Sequence, residues 1–220
     1  MNIFDENIKL LKDKLVFVLA PHTDDGELGC GGTISKLIKN KANVHYFAFS
    51  TAEESVPDGY EKNILKKEVT LATARLGINP ENVHLYKYEV RKLNYARQEI
   101  LEELIKQRNK YQPLLVLVPS LNDIHQDHQT VSQEALRAFK NTTLLGYELI
   151  WNNLDFKTSC FVKLNEDELN LKINALKAYE SQSFRPYIQH DFIRSMAKVR
   201  GIQIGVDYAE SFEVIRWIIG

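Results

Sequence analysis

Two short clusters hold most of the reactive side chains of this chain. The first is Pro21-His22-Thr23-Asp24-Asp25-Gly26-Glu27-Leu28-Gly29-Cys30-Gly31-Gly32, and the second, far along the sequence, is His125-Gln126-Asp127-His128. Adjacent carboxylates repel, and nothing in turn chemistry asks for the Asp24-Asp25 pair; a bound cation would explain it. His22 and Asp25, three apart, with one histidine of the second cluster, make an N,N,O ligand set. Three protein ligands plus an open position for water describe a catalytic zinc site, whereas a structural site wants four ligands, usually thiolates. Cys30 is the only thiol nearby. The carboxylate of the pair that does not bind metal would sit beside the bound water as general base, and zinc lowers the pKa of such a water to about 7. The other histidine of that later cluster, the one not bound to metal, would lie near a substrate carbonyl. As an imidazolium it would stabilise a developing oxyanion, held charged and oriented by a carboxylate such as Asp127. These parts suit hydrolysis of an amide or ester.

The elements that would position them are legible in the hydrophobic pattern. Leu15 to Ala20 is a continuous apolar run, as expected of a strand buried on both faces. Ile34, Leu37 and Ile38 predict a helix over Thr33 to Lys41, and Val44 to Phe49 a second strand. Helical stretches follow at Glu61 to Leu76, with Gly77 as C-cap, and at Tyr95 to Lys110. Val83 to Tyr86 and Leu114 to Val118 supply strands three and four. A helix from about Asp127 to Lys140 comes next, then strands at Leu144 to Ile150 and Cys160 to Leu164 and a helix at Glu166 to Glu180. Residues 2 to 13 read as an amphipathic lead-in helix with Leu10 and Leu11 facing inward. The tail from Ser181 reads as a loop, a helix and a final apolar run.

Alternating strands and helices imply right-handed βαβ units on a parallel sheet. The expected fold is therefore α/β, a Rossmann-like three-layer sandwich with a mostly parallel sheet of order 3-2-1-4-5 plus C-terminal additions. Ligands in such sheets sit beyond the carboxyl ends of the strands at the switch point. The first cluster follows strand 1 and the second follows strand 4, so this order brings them together.

Composition narrows the class further. The 220 residues suit a single domain spanning 1–220, with Lys+Arg 28 against Asp+Glu 29 for a net charge of −1. That balance gives no electrostatic case for nucleic acid. No apolar run approaches the roughly 20 residues of a membrane helix, and the N-terminus has no signal-peptide core. Two cysteines, Cys30 and Cys160, build no disulfide framework and suit a reducing cytosol, so a cytoplasmic location is expected. Whether the chain forms a homo-oligomer stays open at this level.

The two clusters also carry a resemblance. His22-Thr23-Asp24-Asp25 with Leu28-Gly29-Cys30-Gly31-Gly32 resembles the H-P-D-D-x-x-L-G-x-G-G signature of the PIG-L/LmbE-like deacetylases, and His125-Gln126-Asp127-His128 resembles that family's H-x-D-H. Lys177 to Gln182, Arg200-Gly201 and Tyr208-Ala209-Glu210 also look like family positions. The resemblance implies a zinc enzyme that removes acetyl groups from N-acetylated sugars such as nucleotide- or lipid-linked N-acetylglucosamine or a thiol glycoside. By matching position it implies His22, Asp25 and His128 as Zn2+ ligands and Asp24 as general base. His125 would be the oxyanion stabiliser and general acid, tuned by Asp127. Thr23 departs from the family's proline, and Ser50 to Ser55 lacks the glycine and arginine of several relatives.

Other readings compete. An NAD-type oxidoreductase would need a G-x-G-x-x-G loop, but counting from Gly29 places Ile34 where its last glycine belongs, and two carboxylates would repel a pyrophosphate. A non-catalytic sugar-binding relative would not need every reactive position filled. His45 and His84 lie in strands and read as structural, and His190 as surface. For substrate contacts the candidates are Arg91, after strand 3, and Trp151 with Asn152, after strand 5; each has an ordinary packing or surface role as its alternative.

Overall fold

The structure is a computed structural model, and it describes residues 11–218. Its sheet contains β1 (Leu15–Ala20), β2 (Asn43–Ala48), β3 (Val83–Leu85), β4 (Leu115–Pro119), β5 (Thr143–Tyr147), β6 (Cys160–Leu164) and β7 (Tyr208–Arg216), in the order β3-β2-β1-β4-β5-β7-β6. The first five are parallel as expected, while β7 pairs antiparallel with both β5 and β6. The C-terminal additions are thus a β6–β7 ladder that extends the sheet past β5. The lead-in helix expected over residues 2–13 lies almost wholly outside the described residues; 11–13 form a turn, and Leu11 packs on the core.

The helices are α1 (Asp25–Lys39), α2 (Ile64–Leu76), α3 (Arg97–Tyr111), α4 (Gln126–Ala138), α5 (Glu166–Leu176) and α6 (His190–Ile202). Period-two alternation on β1 divides the core. Val16, Val18 and Ala20 face α1, α2, α5 and α6, whereas Phe17 and Leu19 face α3 and α4. This is the three-layer sandwich. Gly77, with φ of 90°, ends α2 in the left-handed region that favours glycine.

The principal departure from the sequence pattern is the start of α1, which begins at Asp25 and not at Thr33. Low helix propensity argued against a helix through four glycines. Packing explains them: a Cβ on Gly26 would lie 2.5 Å from the Tyr46 ring, and one on Gly29 would lie 2.2 Å from the Tyr147 ring. The helix breaks at Cys30, with φ of −145°, and restarts against β7. There the buried Glu210 carboxylate accepts from the amides of Gly32 (3.0 Å) and Thr33 (2.6 Å) and pairs with the buried Lys172 at 2.7 Å.

His45 and His84 are structural, as expected. Their rings stack, and Nδ1 of His45 lies 3.1 Å from Nε2 of His84. Burial, the neighbouring His84 and Lys110 lower the His45 pKa to about 4, and burial with Lys110 lowers that of His84. Between about pH 6.5 and 4 the unfolded chain therefore binds more protons at these rings than the folded one, and stability is lost as pH falls. His45→Phe should show a smaller drop in melting temperature than wild type from pH 7 to pH 4.5; equal drops would contradict this.

Candidate metal centre

Both clusters stand at the carboxyl edge of the sheet, where β1 lies between β2 and β4. His22 to Asp24 form the turn out of β1, Asp25 opens α1, and the second cluster opens α4 with His125 as its N-cap. Three side-chain atoms converge. Nδ1 of His22 lies 3.1 Å from Oδ2 of Asp25, Nε2 of His128 lies 3.2 Å from the same oxygen, and the two nitrogens lie 3.2 Å apart. Ligands at 2.0–2.1 Å from a tetrahedral ion stand about 3.3 Å from one another, so the triangle has the dimensions of an N,N,O metal set. His125 also brings a ring nitrogen to within 4.8 Å of His22 and His128. The tighter triangle favours Asp25 as the third donor.

Each ring in the triangle is oriented from behind by a carboxylate. Nε2 of His22 lies 2.9 Å from Oδ2 of Asp127, and Nδ1 of His128 lies 2.7 Å from Oδ2 of Asp123. A proton on each outer nitrogen leaves the inner lone pair aimed into the triangle, which is the donor chemistry a divalent cation requires. The same surroundings draw protons to these rings, which a bound cation would displace. Burial opposes protonation of His22, but Asp25 and Asp127 outweigh it and raise its pKa to about 9. Burial likewise opposes protonation of His128, and Asp25 with Asp123 raises it to about 10. The carboxylates of this site demand positive charge at its centre.

Asp24 differs from its neighbour. It is half-buried, and its carboxylate makes no ion pair among the described residues. Burial and the adjacent Asp25 raise its pKa to about 6, whereas His128 and His22 overcome burial to hold Asp25 well below the usual carboxylate range. One carboxylate is committed and the other is free to exchange a proton near neutral pH.

The Asp127 charge favours protonation of His125, as expected, but its carboxylate does not bond that ring. The Asp127 carboxylate faces His22 and accepts from the backbone amides of Arg91 (2.6 Å) and Leu93 (3.2 Å). It is the Asp127 backbone N–H that meets His125, donating to Nδ1 at 3.2 Å as the cap of α4. A ring accepting at Nδ1 carries its proton on Nε2 and is neutral. Burial and the charges of His128 and His22 lower the His125 pKa to about 4. This contact suits His125 to act as an Nε2–H donor rather than as the imidazolium expected from the sequence.

The candidate substrate residues contact segments that support this centre. Arg91 is exposed, with a left-handed φ of 66° that turns its amide onto Asp127, and its side chain reaches Ser55 Oγ at 3.2 Å. Trp151 and Asn152 lie in the turn beyond β5. The Asn152 carbonyl accepts from the Ile124 amide at 3.1 Å, and Trp151 stacks on Tyr187 with centroids 4.0 Å apart.

Sequence reasoning missed several members. Asp123 is buried and binds both the His128 ring and, at 2.8 Å, the His125 amide. The alternation of acidic residue and histidine in Asp123-Ile124-His125 was the available signal. Asp123→Ala should weaken metal binding by about 10–100-fold, read by competition with a chelating dye; unchanged affinity would remove it from the site. Glu27 is fully buried, and its pKa is pushed up to about 8 mainly by burial. Tyr46 and Tyr179 bind its carboxyl, and their hydroxyls also reach the Thr23 carbonyl at 3.0 and 2.7 Å. Tyr179 falls in the Lys177 to Gln182 stretch that the family resemblance marked, without a role, whereas Tyr46 lies in β2 and no local pattern announced it.

The fold is thus a Rossmann-like α/β sandwich with His22, His128 and Asp25 gathered at its switch point. Residues 17–139 match the PIG-L family, described as GlcNAc-PI de-N-acetylase, and the chain belongs to that family. It is 24% identical to a diacetylchitobiose deacetylase of Thermococcus kodakarensis, over 97% of this chain and 92% of the relative. It is 26% identical to the uncharacterized deacetylase YaiS of Escherichia coli K12, over 77% of this chain and 92% of that one. Among solved structures it resembles the conserved protein TT1542 of Thermus thermophilus, with a TM-score of 0.76 and 26% identity over 93% of this chain and 96% of the other. Among the described residues no helix is long and apolar enough to cross a membrane.

Proposed function

We propose that this protein is a zinc-dependent N-deacetylase that releases acetate from an N-acetylated amino sugar of the N-acetylglucosamine type. The observation that carries the reading is the donor triangle of His22, Asp25 and His128, backed by Asp127 and Asp123, with the unpaired Asp24 beside it. Family membership and the deacetylase named among its relatives support the substrate class.

His22, Asp25 and His128 would hold the ion. Zinc bound there would supply Lewis acidity and lower the pKa of a water at its open position. Asp24 accepts the proton of the attacking water as its oxygen bonds to the acetyl carbon. The neutral His125 ring presents Nε2–H as the hydrogen-bond donor for the oxyanion that develops. Asp24 then gives its proton to the departing nitrogen as the C–N bond breaks, leaving acetate and the free amino sugar. Asp127 and Asp123 hold the histidine rings, and Tyr46 and Tyr179 hold the Thr23 carbonyl, so the base does not drift from the metal set. Two unbridged cysteines, one buried, support action in the reducing cytosol.

Acetate release should be assayed over a panel of N-acetylhexosamine derivatives, free and with nucleotide, lipid or thiol-glycoside aglycones. At least one should give metal-dependent turnover. A panel silent in the zinc-loaded protein would overturn the reading.

A further inference from the structure

We propose that Arg185 forms a subsite beside Asp24 for an anionic group, a carboxylate or phosphate, carried by the acetamido-sugar substrate. This deepens the deacetylase reading and rests on it. Arg185 is a half-buried guanidinium with only neutral partners: Nε donates to Gln182 Oε1 at 2.6 Å and Nη1 to the Tyr187 hydroxyl at 2.7 Å. No carboxylate lies within ion-pair distance of it among the described residues; Arg97, Arg137, Arg194 and Arg200 each pair with a glutamate, while Arg75, Arg91, Arg108 and Arg216, like Arg185, bond only neutral acceptors. Nη2 meets no acceptor among the described residues. The side chain is thus aimed by two hydrogen bonds and lies over the Phe184 and Tyr187 rings, while no carboxylate pairs with it directly among the described residues, an arrangement suited to an incoming anion.

Its position follows from how the segment 179–187 is tied down. At one end the Tyr179 hydroxyl holds the Thr23 carbonyl at 2.7 Å, directly before Asp24. In the middle the Ser181 amide and hydroxyl bind the buried Glu68 at 2.8 and 2.6 Å, which fixes the neighbouring Gln182. At the other end Tyr187 stacks on Trp151, in the turn whose Asn153 pairs with Asp123. Arg185 therefore stands on a wall running from the general base to the support of His128. The same charge is felt at the Asp24 carboxyl, which it stabilises. An anionic substrate approaching Asp24 and Asp25 meets repulsion, and a guanidinium on this wall offsets it. A charge-assisted hydrogen bond of this type is worth roughly ten- to a hundredfold in affinity.

The test measures kcat/KM for acetate release from neutral methyl N-acetylglucosaminide, N-acetylglucosamine 6-phosphate and N-acetylmuramic acid. The zinc-loaded wild type is compared with Arg185→Gln and Arg185→Lys, with circular dichroism as the folding control. The wild type should favour at least one anionic sugar by about tenfold or more, Arg185→Gln should bring that ratio towards one, and Arg185→Lys should keep part of it. Which anionic sugar leads identifies carboxylate or phosphate. A ratio near one in the wild type, or a ratio unchanged by Arg185→Gln, would overturn the subsite while leaving the deacetylase standing, and a purely structural role would lower all three substrates alike. If no sugar releases acetate, the deacetylase reading fails. Calorimetric binding of glucosamine 6-phosphate and of muramic acid, each against methyl glucosaminide, then decides the subsite: charge-selective binding that Arg185→Gln abolishes supports it, and non-selective binding removes it.

Discussion

Asp24→Asn should lower kcat by about 10²–10⁴-fold while leaving the zinc content at the wild-type level. Asparagine keeps the shape of the side chain and cannot take a proton. The two aspartates of the pair are separated by their contacts. Asp25 Oδ2 is shared by His22 and His128, whereas the Asp24 carboxylate makes no ion pair among the described residues. Removing its charge should therefore spare the metal. The pH profile gives a second readout. Asp24 must be ionised to act, so activity should rise with pH through its pKa, placed at about 6 by burial and Asp25; a bound cation would move that limb lower. The limb should vanish in Asp24→Asn. Full turnover in the variant would assign the base elsewhere, and loss of zinc would exchange the roles of the pair.

Glu210→Ala should destabilise the fold by about 3–5 kcal/mol, the range for removing one partner of a buried ion pair. The loss has two parts. Lys172 would be left as a buried ammonium without its 2.7 Å partner, and the amides of Gly32 and Thr33 would lose the acceptor that restarts α1 after Cys30. Because α1 begins at Asp25, this carboxylate on β7 supports the element that carries half of the site. Urea unfolding should show the midpoint shift. A change below about 1 kcal/mol would mean that water replaces Glu210 without penalty, and the restart would then need another explanation.

The sequence made the sheet order and the pairing of the two clusters legible because both depend on local signals. Apolar runs marked β1 and β4, helical periodicity lay between strands, and the crossover rule did the rest. The start of α1 was hidden because propensity counts glycine against a helix, and only the Tyr46 and Tyr147 rings from distant strands show why Gly26 and Gly29 are needed. The same limit applied at the site. His22, Asp25 and His128 could be grouped from spacing and resemblance, but the direction of the Asp127 carboxylate is set by the left-handed backbone at Arg91 and by the Leu93 amide. Proximity in sequence suggested His125 as its partner, and tertiary contacts gave it His22. Glu27 and Tyr179 stood in stretches the sequence marked, but their pairing is a contact across the fold that no window of residues contains.

The most direct test of the central claim is to titrate zinc into chelator-treated protein while following acetate release from an N-acetylated amino sugar. Activity should climb in proportion to occupancy and level off at one zinc per chain, and His128→Ala should neither bind the ion tightly nor recover. Full activity in protein verified to be free of metal, or a His128→Ala variant that binds zinc and turns over as the wild type does, would contradict it.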